Sequence, residues 1–99
     1  MSDFGVDINV AEVGERYIEL GWTEAEGDFD TYVITYEPEE AIVESPLYIP
    51  RSLRAPLRFD GLTPGQEYTF SLYLYKGNTI KAGPVIEVES TSKKRYLIY

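Results

Sequence analysis

The stretch Gly61–Tyr75, GLTPGQEYTFSLYLY, decides the fold. Pro64-Gly65 is a turn signal: proline presets one corner angle, and glycine takes backbone angles that other residues resist. Beyond the turn the chain alternates. Tyr68, Phe70, Leu72 and Leu74 fall on one face and Thr69, Ser71, Tyr73 and Tyr75 on the other, the period of two expected of a half-buried strand. Tyr68 opens that strand. From there a tyrosine can bury its ring and turn its hydroxyl back to main chain near Leu62 or Thr63, pinning the crossing between two sheets. Leu62, Pro64, Gly65 and Tyr68 are therefore expected to form a tyrosine corner, with Leu62 plugging the core.

The same alternation recurs outward from this stretch. RYIELGWT sets Ile18, Leu20 and Trp22 against Tyr17, Glu19 and Gly21, and TYVITYE sets Tyr32, Ile34 and Tyr36 against Val33 and Thr35. VIEVEST places Ile86 and Val88 on one face against Glu87 and Glu89 on the other. Shorter strands are expected in DINVAEV, within AIVESPLYI and at PLRF. Gly14, the acidic EAEGDFD, Pro38, the prolines at 46, 50 and 56, and a loop KGNTIKAGP separate these runs. Seven short strands with turns at roughly ten-residue spacing predict a two-layer antiparallel sandwich.

Composition narrows the chemistry. A chain of 99 residues is sized for one domain, and 14% aromatic content with nine tyrosines suits a small β core. With no cysteine there is no disulfide, thiolate metal site or thiol nucleophile, and with no histidine the usual base near neutral pH is missing. Catalysis is not expected. The net charge of −8 opposes nucleic-acid binding, which needs a basic footprint. No apolar run of about 18 residues is present, so membrane insertion is not expected. Met1-Ser2-Asp3 lacks the basic-then-apolar start of a signal peptide, so an exported domain would be mature protein or an excised segment. There is no Asn-x-Ser/Thr sequon.

In combination, AEVGERYIELGW, YVITYE, LTPGQEY and YTFSLYLY resemble the fibronectin type III family. The resemblance covers residues 6–91 and leaves 92–99 as a C-terminal extension or linker. It implies an all-β, seven-stranded antiparallel immunoglobulin-like β-sandwich. Ile18, Leu20, Trp22, Tyr32, Ile34, Tyr36, Leu62, Tyr68, Phe70 and Leu72 would then be core. It implies no catalytic residue, cofactor or metal, an extracellular or cell-surface setting, and neighbouring domains of a parent chain. Two departures stand out. No proline lies near the first strand, and the chain continues past Thr91 with SKKRYLIY, whose apolar end is expected to extend the last strand or dock rather than stay solvated.

Charged clusters are expected to be solvated or mutually balanced. The carboxylates of TEAEGDFDT (Glu24, Glu26, Asp28, Asp30) alternate around a glycine but lack the spacing of a calcium loop. Arg51, Arg54 and Arg58 read as charge balance, ahead of a polysaccharide-binding patch. The loop KGNTIKAGP sits where the resembled family carries an Arg-Gly-Asp adhesion sequence, and that tripeptide is absent.

Function is expected at the outward tyrosines. In the resembled fold the Tyr68–Tyr75 strand lies centrally in a sheet of the third, fourth, sixth and seventh strands. Val33, Tyr73 and Tyr75, with Lys76, Asn78 and Ile80 of the following loop, would then form a face for a protein partner, since tyrosine is rigid, amphipathic and enriched at recognition surfaces. The competing functions are a structural spacer, including one appended to a secreted enzyme, and an engineered binder built on this scaffold.

Overall fold

The computed structural model describes residues 5–40 and 45–93. Seven strands run in chain order: β1 (Ile8–Val13), β2 (Tyr17–Trp22), β3 (Thr31–Glu37), β4 (Leu47–Pro50), β5 (Leu57–Asp60), β6 (Glu67–Lys76) and β7 (Thr79–Ser90). They form a three-stranded sheet of order β1-β2-β5 and a four-stranded sheet of order β4-β3-β6-β7, with every pairing antiparallel. The alternating apolar residues meet between the two sheets. Ile18, Leu20 and Phe59 from one sheet pack with Ile34, Tyr36, Phe70 and Leu72 from the other, all nearly free of solvent.

The layers are joined by aromatics. Phe59 and Phe70 face each other across the sandwich with ring centroids 5.2 Å apart, and Tyr36 lies 6.2 Å from Phe70 in a stacked arrangement. Trp22 is a packing residue at one end of the core, its ring 5.5 Å from that of Tyr32. Rings offset in this way add about 0.5–1.5 kcal/mol per pair beyond burial alone.

Two expectations change. The stretch KGNTIKAGP is strand rather than loop: β6 and β7 are joined by Gly77-Asn78 alone, with Gly77 at φ 57°, so the hairpin turns tightly and β7 begins at Thr79. The acidic loop between β2 and β3 is not wholly solvated, because Ala25 and Phe29 turn into the core. In β7, whose facing the alternation leaves open, it is the apolar residues of VIEVEST that face outward. Val88 pairs with Thr69 and Ile86 with Ser71, both on the outer side of β6, while Glu87 and Glu89 sit half-buried at the inner rim. The rim position of an edge strand explains this, since a glutamate there reaches water past the end of the opposite sheet.

The first strand lacks an edge proline but carries an irregularity at Ala11, where the register with β2 shifts between Val10 and Glu12. A bulge of this kind discourages edge-to-edge pairing, as a proline would. β7 ends at Ser90, and the apolar residues 96–99 lie outside the described residues.

Candidate protein-contact face

The turn before β6 is built as its sequence requires. Gly65 has φ 71°, a conformation that side chains resist, and its N–H donates to Ser92 O at 3.1 Å. Tyr68 is fully buried, and its hydroxyl accepts the Thr63 N–H at 2.8 Å. The same hydroxyl donates to Glu40 Oε2 at 2.6 Å, and Thr63 Oγ1 donates to that oxygen at 3.1 Å. Glu40 is itself held, with its N–H donated to the Tyr36 hydroxyl at 2.8 Å. Burial raises the pKa of Tyr68, and the Glu40 carboxylate beside it raises it further. Thr91 closes the other side: its hydroxyl accepts the Gln66 N–H at 3.1 Å and donates to Thr63 O. These polar groups hold the β5–β6 crossing and thereby fix which face β6 turns outward.

On that outer face, cross-strand rows run over the four-stranded sheet. Tyr48, Val33 and Tyr73 form one row, Thr31, Tyr75 and Ile80 the next, and Thr35, Ser71 and Ile86 another. The Tyr73 and Tyr75 rings meet edge to face, centroids 6.3 Å apart, and both residues are half-buried. Ile80, Ile86 and Val88 are 52%, 57% and 49% exposed, and Tyr48 is 65% exposed. Between Leu72 and Tyr75 the register with β7 shifts twice, once opposite Gly83-Pro84 and once at Lys81. Gly83 has φ 106°, and a Cβ there would lie 2.6 Å from Leu72 O and 2.9 Å from Tyr73 Cα. Only glycine lets the bulged strand approach β6 so closely beside Tyr73.

The expected contact residues divide on inspection. Tyr73, Tyr75 and Ile80 come together on this face, and exposed Asn78 occupies the hairpin turn at its end. Val33 lies on the same outer face yet is only 3% exposed, which corrects its assignment as a contact residue. It is flanked by Tyr48 and Tyr73, whose larger side chains take the water-facing surface over it. Lys76 is drawn to the β2–β3 loop by an ion pair with Asp28, which raises the lysine pKa and lowers that of the aspartate. Tyr48, Ile86 and Val88 are also exposed on this face and were not among the residues expected there. The alternation of VIEVEST was a legible signal, but alternation does not say which of two faces is the outer one.

Two of the loop carboxylates, Asp28 and Asp30, are engaged within the domain. Asp30 accepts the Thr31 hydroxyl at 2.8 Å and the Gly77 N–H at 3.2 Å, and these bonds lower its pKa. Among the described residues no group of three or more His, Cys, Asp or Glu is placed to hold a metal ion. Arg58 stands apart from the other two arginines. Arg51 lies over the Phe29 ring at 4.0 Å, Arg54 is near Glu24, and Arg58 sits on the opposite sheet. There Arg58 stacks 3.8 Å over Tyr17 and pairs with Glu19 at 3.1 Å, so that outer face is a charged lattice.

Two antiparallel sheets in this order, with the β5–β6 crossing closed by a buried tyrosine, define an immunoglobulin-like β-sandwich module. The family model of the fibronectin type III domain matches residues 6–90, and the chain belongs to that family. Among solved structures it is similar to a computationally redesigned β-sandwich protein, with a TM-score of 0.75, 15% identity, and coverage of 93% of this chain and 92% of that one. The FN1–FN3 domains of chicken CNTN1 match with a TM-score of 0.71 and 13% identity, over 88% of this chain and 31% of that longer one. The fn3 domain of the human collagen alpha-1(XX) chain matches with a TM-score of 0.69 and 15% identity, over 92% and 86%. At such identities the likeness concerns the fold.

Proposed function

We propose that this domain is a non-catalytic protein-binding module of a multidomain extracellular or cell-surface protein, and that its contact surface is the outer face of the four-stranded sheet. The observation that carries this is the contrast between the two outer faces. One presents Tyr48, Tyr73, Tyr75, Ile80, Ile86 and Val88 in adjoining rows, whereas the other is a charged lattice around Arg58. A spacer needs no such asymmetry. Contiguous exposed apolar surface of this kind marks interaction sites, and tyrosine-rich surface marks recognition. The chain carries −8 overall, with Glu37 and Glu67 exposed at one end of the face, so the partner surface is apolar with a basic rim. The extracellular setting and neighbouring domains are supported by similarity to domains set in longer chains, such as the FN1–FN3 array of chicken CNTN1.

The test is capture of partners from extract by the immobilised domain, compared across variants. A partner held by the wild type and by Glu19→Gln, on the opposite sheet, should be lost with Tyr73→Ser/Tyr75→Ser and with Ile86→Ser/Val88→Ser. Denaturant midpoints are measured in parallel. Ile86 and Val88 are half-exposed, so their replacement should change stability little while abolishing capture. Capture that survives both double substitutions would move the function elsewhere.

A further inference from the structure

A second surface feature lies far from the sheet face, at the end of the sandwich where β2 and β4 finish. There a pocket of about 500 Å³ opens between the β2–β3 loop and the β4–β5 connection, a volume in the range of small-molecule sites. Trp22, 9% exposed, presents an edge at its floor, held from beneath by Tyr32, which is 1% exposed and has its ring 5.5 Å away. Leu53, 48% exposed, adds an apolar side chain to the wall.

The polar part of the wall is cationic and incompletely engaged. Arg51 Nη1 donates to Gly27 O at 2.7 Å and Phe29 O at 3.0 Å, and Nη2 donates to Ala25 O at 3.3 Å. Three carbonyls and the Phe29 ring hold this guanidinium in place, yet among the described residues no carboxylate pairs with it. A guanidinium carries five N–H groups, so three such bonds leave two for a ligand. Arg54 stands on the same wall. Its one partner is Glu24, also on the wall, at 3.5 Å with side chains 84% and 72% exposed. An ion pair so long and so solvated is worth little, and a competing carboxylate can displace it.

We infer that this pocket binds a small aromatic carboxylate, its ring between the open edge of Trp22 and the exposed Leu53 and its carboxylate between Arg51 and Arg54. Planar guanidinium groups match a carboxylate in shape as well as charge, which favours that anion over a compact cation or a neutral polar group. The surface is distinct from the proposed protein-contact face, so either proposal can fail without the other.

Trp22 is the only tryptophan, so its indole N–H gives a single resonance that reports from the pocket itself. The probe is 3-phenylpropionate, titrated into the folded domain and followed by amide and indole NMR, with neutral 3-phenylpropanamide as the comparison. A ligand of this size is expected to saturate in the millimolar range, about 1 mM. The indole N–H and the amides of residues 51–55 should shift together with the acid, and the amide analogue should bind about fivefold more weakly. Arg54→Ala, at a largely exposed side chain, should weaken the acid to a similar degree while leaving the rest of the spectrum in place. Glu24→Gln, which removes the competing carboxylate, should tighten it. No saturable shift up to about 10 mM would overturn the proposal. So would equal binding of acid and amide, tighter binding by Arg54→Ala, or shifts centred on Ile86 and Val88 instead of Trp22.

Discussion

The most consequential single atom is the Tyr68 hydroxyl. It satisfies the Thr63 N–H at the turn and hydrogen-bonds Glu40, whose position Tyr36 holds in turn. Removing the hydroxyl leaves a part-buried donor unpaired, and unsatisfied groups cost more than an average hydrogen bond contributes. Tyr68→Phe should therefore lower stability by about 1–3 kcal/mol in urea melts, with little change in the slope against denaturant. A neutral substitution would show that water replaces the hydroxyl without loss. The same burial has a consequence at high pH. The folded pKa values of Tyr36 and Tyr68 are raised, chiefly by burial, so their contribution is complete below the ordinary tyrosine pKa of about 10. It is lost as pH climbs from there through the folded values, because the unfolded chain gives up its protons first. Melting temperature should fall above about pH 10, and by less in Tyr68→Phe than in the wild type.

At the scale of the element, β7 determines the character of the outer face of the four-stranded sheet. Its register with β6 turns Ile86 and Val88 outward, and its bulge at Gly83 brings backbone against Leu72 and Tyr73. A methyl group at residue 83 would meet main-chain atoms that cannot move aside, at a φ that disfavours any side chain. Gly83→Ala should accordingly cost about 1–3 kcal/mol, and the NMR shifts of Tyr73 and its neighbours should move with it. Unchanged stability would mean that the bulge relaxes freely. The β2–β3 loop offers a second case. Arg51 binds three of its carbonyls and Phe29 anchors it, so a segment that is acidic in sequence is ordered by one cation and one ring.

Over the whole molecule, charge and titration define the working range. The pKa values of Asp28 and Asp30 are depressed by hydrogen bonds to Lys76 and to Thr31 with Gly77. Their contribution is present above the ordinary aspartate pKa of about 3.9 and disappears as pH falls through the lowered folded values. With no histidine or cysteine in the chain, stability should be flat between about pH 5.5 and 8, declining only on the acid side and above pH 10. A transition near pH 6.5 in thermal melts would contradict this account. Calcium should leave the melting temperature unchanged, because Asp28 and Asp30 are already engaged by Lys76, Thr31 and Gly77 and, among the described residues, no three carboxylates are placed to hold an ion. A site occupied at a hundred times its dissociation constant would add about 2.7 kcal/mol, a rise that calorimetry would detect easily.

Much of this domain was legible without coordinates, because strand alternation and turn chemistry are local. The inward rows of β2, β3 and β6, the turn at Pro64-Gly65 and the outward placement of Tyr73 and Tyr75 all follow from residues close together in the chain. Tertiary structure alone decided what depends on partners distant in sequence. Whether Ile86 and Val88 face the core or the solvent rests on pairing with Thr69 and Ser71, since a period of two is identical for either face. Val33 points outward as its position dictates, yet it is covered because Tyr48 and Tyr73 flank it from other strands. Glu40 reaches Tyr68 across 28 residues of chain, and no local pattern marks that bond. Local periodicity sets which residues share a side. Only the packing of strands from remote parts of the chain determines which side meets water.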